Sequence, residues 1–138
     1  MVKAFRLLNR RAWGFDTSVY ANIESCIPMF MTKTLPEYTD WVIAKDVFEH
    51  LTKDDLNETL GQLRCQNIFI VVPLAVRDKY VNPDDEKDVT HIIREGLGWW
   101  NNVILGHFKA VEARFRFGRL KDDKPPNSYG FITGRIKR

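Results

Sequence analysis

The stretch Asp40-Trp41-Val42-Ile43-Ala44-Lys45-Asp46-Val47-Phe48-Glu49-His50-Leu51 decides the fold of this chain. Residues 41–44 form a short apolar run that stops at Lys45 and gives way to Asp46, Glu49 and His50. An apolar run of this length bounded by charge matches a strand covered on both faces of a parallel sheet. Polar side chains just beyond its carboxyl end match the rim of an open α/β sheet, where such folds place their ligands. A buried strand followed by a solvated helix start has the same spacing, so both readings stand at this point.

Toward the amino end, residues 1–11 carry Val2, Phe5, Leu7 and Leu8 among Lys3, Arg6, Arg10 and Arg11. That pattern predicts an amphipathic helix ending in a basic turn. Residues 12–15 read as a short strand that leaves Asp16 at the rim. Thr17 or Ser18 then caps a helix running to about residue 26. Residues 28–31 read as a brief strand, and residues 32–39 as a loop containing Pro36.

Toward the carboxyl end, Thr52-Lys53-Asp54-Asp55 has the form of a capping box, opening a helix with Leu56, Leu60 and Leu63 on one face. Residues 67–73 are the most hydrophobic strand, with Pro73 at its exit, where a missing amide costs nothing. Residues 75–89 are acidic and rich in turn signals. They read as a surface excursion, either a substrate lid or a mobile loop. Residues 91–108 predict a helix with Trp99, Trp100, Val103, Ile104 and Phe108 on its apolar face. Residues 110–117 alternate, which is a half-exposed strand, and residues 129–137 close the chain as its antiparallel partner.

A length of 138 residues sets one domain over 1–138, with enough chain for a real core. Hydrophobic residues at 44% and charged residues at 28% exclude a disordered chain. The net charge of +3 is unevenly spread: residues 41–108 hold 7 basic and 11 acidic side chains, and residues 109–138 hold 9 and 3. The basic end suits either nucleic acid or a protected edge strand. Cys26 and Cys65 have no metal-like spacing and read as free thiols in a reducing cytoplasm. No apolar run approaches the ~20 residues of a membrane helix, and the start lacks a signal-peptide pattern. A soluble cytoplasmic protein without a membrane partner is the expectation.

The segment Asp-Trp-Val-Ile-Ala-Lys-Asp-Val-Phe-Glu-His-Leu resembles the fourth strand and following loop of class I S-adenosylmethionine-dependent methyltransferases. Three further stretches resemble that family in the right order: Gly14-Phe15-Asp16-Thr17-Ser18 its second strand end, Ile68-Phe69-Ile70-Val71-Val72-Pro73 its fifth strand, and Asp88-Val89-Thr90-His91 the segment before its last helix. The resemblance implies an incomplete Rossmann-like sheet, α/β, mostly parallel with a carboxyl-terminal antiparallel strand pair. The glycine-rich loop that ends the family's first strand has no counterpart here, where Gly14 stands alone. Glycine is needed in that loop because the backbone approaches the cofactor closely. The chain therefore resembles a methyltransferase that starts one strand late. In the family that strand lies between the second and fourth, so its absence predicts open strand edges and a homo-oligomer or a rearranged sheet.

The same resemblance implies site residues. Asp16 would take both ribose hydroxyls of S-adenosylmethionine, with Thr17 beside it; helix capping alone is the competing role. Met31 and Thr32 correspond to the adenine side, and Lys45 and Asp46 to the loop beside the methionine part. His50 or His91 would serve as general base, since imidazole titrates near neutrality, or as a hydrogen-bonded structural histidine. Asp46, Glu49, His50 and His91 also resemble the Glu-x-x-Glu-His and later His of metal-dependent RNA and quinone methyltransferases, with Asp replacing the first Glu. Trp100 is expected in the core, while Trp99 can pack or stack on a planar ligand. The implied function is methyl transfer to an unidentified acceptor, impaired by the missing loop, with weak or absent cofactor binding. The alternative is a non-catalytic remnant serving as an assembly or nucleic-acid-associated module.

Overall fold

Asn9 ends the first helix well before its apolar spacing predicts. In the computed structural model, which describes residues 1–16, 26–28, 38–115 and 128–136, helix α1 spans Val2–Leu7. Asn9 adopts a left-handed φ of 54°. Its N–H donates to the Arg6 carbonyl at 3.0 Å, and the Arg10 N–H donates to the Phe5 carbonyl at 3.0 Å. This bond pair is a Schellman stop, which asparagine supports because it tolerates the left-handed region. Strand β1 (Gly14–Asp16) then pairs in parallel with β2 (Cys26–Pro28). Asp16 is thus the last strand residue rather than the position after it, and Cys26 opens a strand instead of closing a helix. These elements belong to one compact unit, Met1–Pro36, and those below to a second, Glu37–Arg138.

In the second unit β3 (Thr39–Lys45) and β4 (Cys65–Pro73) run parallel, with Trp41 beside Asn67 and Ala44 beside Ile70. Helix α2 (Lys53–Gln62) makes the crossover. The predicted cap is present: the Asp55 N–H donates to Thr52 Oγ1 at 3.1 Å, and the Thr52 hydroxyl donates to the Asp55 carboxylate at 2.6 Å. Strand β8 (Tyr129–Ile136) enters antiparallel to β4, and β7 (Phe108–Phe115) antiparallel to β8, giving the order β3-β4-β8-β7. Among the described residues β1 and β3 each pair on one side only. No described helix is long and apolar enough to cross a membrane. Within the basic end, residues 116–127 and 137–138 lie outside the described residues.

The region between β4 and β8 departs most from the sequence reading. Residues 75–89 are built into the structure, not a free loop. Strands β5 (Ala75–Val76) and β6 (Lys79–Tyr80) form a tight hairpin, followed by a single helical turn, α3 (Pro83–Glu86), capped by Asn82. Tyr80 and Asn82 are buried, and the Tyr80 hydroxyl donates to the Ile93 carbonyl at 2.9 Å. The last helix, α4 (Leu97–His107), starts later than predicted because residues 92–95 are bonded elsewhere. The Ile92 and Ile93 amides both donate to the Glu49 carbonyl, at 2.7 and 3.0 Å, and the Ala75 amide donates to the Glu95 carbonyl at 3.0 Å.

The core fills the space between the sheet and α2 and α4. Ile68, Ile70, Val72 and Ile132 from the sheet, Leu56 and Leu60 from α2, and Trp100 and Ile104 from α4 are all buried. Trp99, its ring 5.1 Å from that of Trp100, stays partly exposed, with the Lys53 ammonium 5.0 Å from its ring centre. Residues Ile68 of β4 and Phe108 of β7 can lie close over β8 because it carries glycine where a methyl would collide. A Cβ on Gly134 would stand 2.9 Å from Ile68 Cγ2 and 3.1 Å from Phe108 Cβ, whereas one on Gly98 would meet nothing within 4 Å. Gly134→Ala should therefore cost about 1–3 kcal/mol by overpacking. Gly98→Ala should gain up to about 1 kcal/mol from helix propensity. Paired urea melts check both; equal midpoints for the two variants would contradict this packing.

Candidate functional site

Where β3 ends, the chain turns through Asp46, whose φ of 53° is left-handed and whose N–H donates to the Val71 carbonyl at 3.0 Å. Val47 leads into one turn of 3-10 helix, Phe48–His50. Phe48 is fully buried and anchors that turn. The turn carries Glu49 inward and His50 toward a cavity. Because the Glu49 carbonyl accepts two amides from the segment after His91, the two histidines are brought together edge to face: ring centres 4.7 Å apart and planes at 63°.

The hydrogen bonds assign both imidazole tautomers. His91 Nδ1 lies 3.0 Å from the Asp85 carbonyl, which can only accept, so Nδ1 carries the proton. His50 Nδ1 lies 3.2 Å from the Thr90 carbonyl and 2.9 Å from Thr90 Oγ1. That hydroxyl already donates to the Asp88 carboxylate at 2.5 Å, so it too accepts from His50. In each neutral ring the lone pair therefore sits on Nε2. Both Nε2 atoms face the same carboxylate oxygen, Glu49 Oε1, at 3.9 Å from His50 and 4.0 Å from His91.

Glu49 is only 1% exposed, and neither of its oxygens has a hydrogen-bond partner. Burial pushes its carboxyl up to about 8, and the charges of Asp46 and Asp85 push the same way. The backbone amides of Glu49 and Val47 pull against this without reaching hydrogen-bonding geometry. Around the cluster lies a cavity of about 290 Å³, lined by Asp46, Glu49, His50, Pro73, Asp84, Asp85, Asp88, His91 and Tyr129. The Tyr129 hydroxyl donates to Asp85 at 3.1 Å. Hydrogen bonds from the Thr90 hydroxyl and amide hold the Asp88 carboxyl below its usual range.

Of the residues expected from the sequence, Asp46, Glu49, His50 and His91 converge here. Lys45 is ion-paired with Asp46 at the rim, and Asp16 ends a strand in the other unit. Thr17, Met31 and Thr32 lie outside the described residues. Sequence reasoning missed Asp84, Asp85 and Tyr129. The two aspartates sit in a stretch whose composition reads as surface turn, and no local pattern announces that α3 returns to the site.

No family model matches this chain, and no curated protein matches it. Solved structures do. The 1,6-didemethyltoxoflavin-N1-methyltransferase of Burkholderia thailandensis, with bound 1,6-didemethyltoxoflavin and S-adenosylhomocysteine, superposes with a TM-score of 0.71 at 14% identity, over 99% of this chain and 66% of that one. A SAM-dependent methyltransferase from Archaeoglobus fulgidus gives 0.71 at 14% identity, over 97% and 80%. The N-methyltransferase NodS of Bradyrhizobium japonicum, in complex with S-adenosylhomocysteine, gives 0.54 at 12%, over 83% and 55%. The chain thus has the class I methyltransferase fold and spans about two thirds of the length of the first of these structures.

Proposed function

We propose that this chain uses its class I methyltransferase fold for methyl transfer from S-adenosylmethionine to an acceptor held in the His50–Glu49–His91 cavity. The observation that carries this reading is the cavity's place beyond the carboxyl ends of the parallel strands β3 and β4, with two Nε2 lone pairs directed into it. The sulfonium supplies an activated methyl group; the protein's part is to align the acceptor, exclude water and take up a proton. His50 Nε2, with its ring partly exposed and its Nδ1 proton fixed by Thr90, suits proton uptake, and His91 Nε2 is the buried second acceptor.

On the cofactor side, the described residues are compatible. The Lys45–Asp46 pair offers one cation and one anion at the rim, matching the carboxylate and ammonium of the cofactor's amino-acid end. Glu49, His50 and His91, with Asp46 nearby, are also a donor set for a divalent ion, which would acidify a hydroxyl acceptor. The free thiol of Cys65, buried in β4, fits a reducing cytoplasm.

Titration with S-adenosylhomocysteine, followed by amide NMR, tests the reading. Weak binding is expected, with shifts centred on Lys45 and Asp46. Unchanged amides at millimolar ligand would overturn it. A second reading, an assembly module, is favoured by β3, where Trp41 is 55% exposed and the strand pairs on one side only among the described residues. Under that reading light scattering gives a homo-oligomer that Trp41→Lys dissolves; a monomer at high concentration removes it.

A further inference from the structure

We propose that the acceptor this cavity takes is an organic ammonium, a small amine that enters carrying its positive charge. The inference rests on the methyl-transfer reading and specifies its substrate class. Five carboxylates line the cavity, and no lysine or arginine does. An acidic lining alone is common on protein surfaces. The second observation is Glu49, which is 1% exposed and contributes a carboxyl group whose oxygens have no hydrogen-bond partner. Leaving such a group buried costs free energy that an N–H donor carrying positive charge restores.

The same three residues can be compared with the geometry of an ammonium and of a bare metal ion. Glu49, His50 and His91 each offer one acceptor atom, and these atoms all lie within 4.8 Å of one another, with two of the spacings at 3.9 and 4.0 Å. Three acceptors each ~2.8 Å from a tetrahedral nitrogen stand about 4.6 Å apart. Three ligands at ~2.1 Å from a tetrahedral metal stand only about 3.4 Å apart. The observed spacings of 3.9 and 4.0 Å fall midway between these values and admit either occupant, so the choice rests on the buried, unpartnered Glu49 and the acidic lining. An –NH3⁺ group also brings three donors. Once it gives one proton to His50 Nε2, its nitrogen has the lone pair that forms the N–CH3 bond, while the sulfur keeps the electrons of the broken S–CH3 bond. Phosphate or carboxylate acceptors would meet like charge on every side.

The test uses the whole chain, freed of metal with chelator, and four probes: n-butylammonium, n-butanol, butyrate and Mn²⁺. Ring signals of His50 and His91 report binding. Butylammonium should bind about tenfold tighter than butanol, and butyrate not at all. Glu49→Gln should remove about tenfold of the ammonium affinity. Asp88→Asn, at a solvent-exposed lining position that leaves the core untouched, should remove a smaller factor. Equal affinity for alcohol and ammonium, no binding of any probe, or Mn²⁺ displacing the ammonium at far lower concentration would each overturn the proposal. S-adenosylhomocysteine added to the same sample separates the two readings. Shifts at Lys45 and Asp46 without ammonium preference sink the acceptor class alone; ammonium preference without those shifts sinks methyl transfer and leaves an ammonium-binding cavity.

Discussion

Glu49→Gln should melt well above the parent chain at pH values beyond about 8, and slightly below it under pH 4.5, with chelator present throughout. The sign follows from the direction of the shift. Burial raises the folded carboxyl from 4.5 to about 8. Between those values the unfolded chain has released the proton that the folded chain still holds, so stability falls as pH rises through the window. Below it both states are protonated and nothing is lost; above it the full cost of an ionised buried carboxylate is present. At 1.36 kcal/mol per unit that cost is about 5 kcal/mol as an order of magnitude. Glutamine copies the shape of the protonated acid and cannot ionise, so it escapes the cost, less about 1 kcal/mol for its own buried amide. The remaining gain corresponds to a shift of ~10 °C for a chain of this size. Melting curves that coincide at every pH would show that Glu49 is already neutralised by another group.

Trp100→Ala should remove a large share of the chain's stability. The side chain is fully buried where α4 meets the sheet, and removing it opens a cavity costing about 3–5 kcal/mol. A domain's total stability is only about 5–15 kcal/mol, so this is a large share. Trp99→Ala removes a half-exposed ring and should cost about 1 kcal/mol. Trp100→Phe should fall between them, because the indole Nε1 is buried without a hydrogen-bond partner and its loss offsets part of the lost volume. Guanidinium titrations followed by circular dichroism rank the three. Equal losses for Trp99→Ala and Trp100→Ala would contradict this assignment of core and surface.

The segments whose patterns are local were legible in the sequence. Strand β3 and its polar rim, the Thr52 cap, the apolar β4 and the closing strand β8 all stand where the residue pattern puts them, while β7 opens two residues early, at Phe108, which the spacing had given to the preceding helix. The elements that were not legible depend on bonds made at long range. Nothing in residues 91–96 announces that the Ile92 and Ile93 amides are claimed by Glu49, so the helix seemed to begin at His91. The hairpin of β5 and β6 turns through Arg77 and Asp78 at φ 52° and 64°, left-handed positions where glycine or asparagine is the usual signal. With that turn hidden, the return of Asp84 and Asp85 to the cavity was hidden too. At the site the pairing of Glu49 with His50 was readable from adjacency, and His91 from resemblance. The tautomers were not, because they depend on Thr90, Asp88 and Asp85, which only the folded chain brings together.

The central claim is that His50 Nε2 and His91 Nε2 each turn an unprotonated nitrogen toward Glu49 Oε1 in the cavity. Nitrogen-15 spectra of the imidazole rings at neutral pH, in metal-free buffer, read this directly. Both rings should carry their proton on Nδ1, with Nε2 appearing as an unprotonated, pyridine-type nitrogen. A proton on Nε2 of either ring, shared with Glu49, would mean the cluster is satisfied by itself, with no vacancy for a proton, an ammonium or a metal ion.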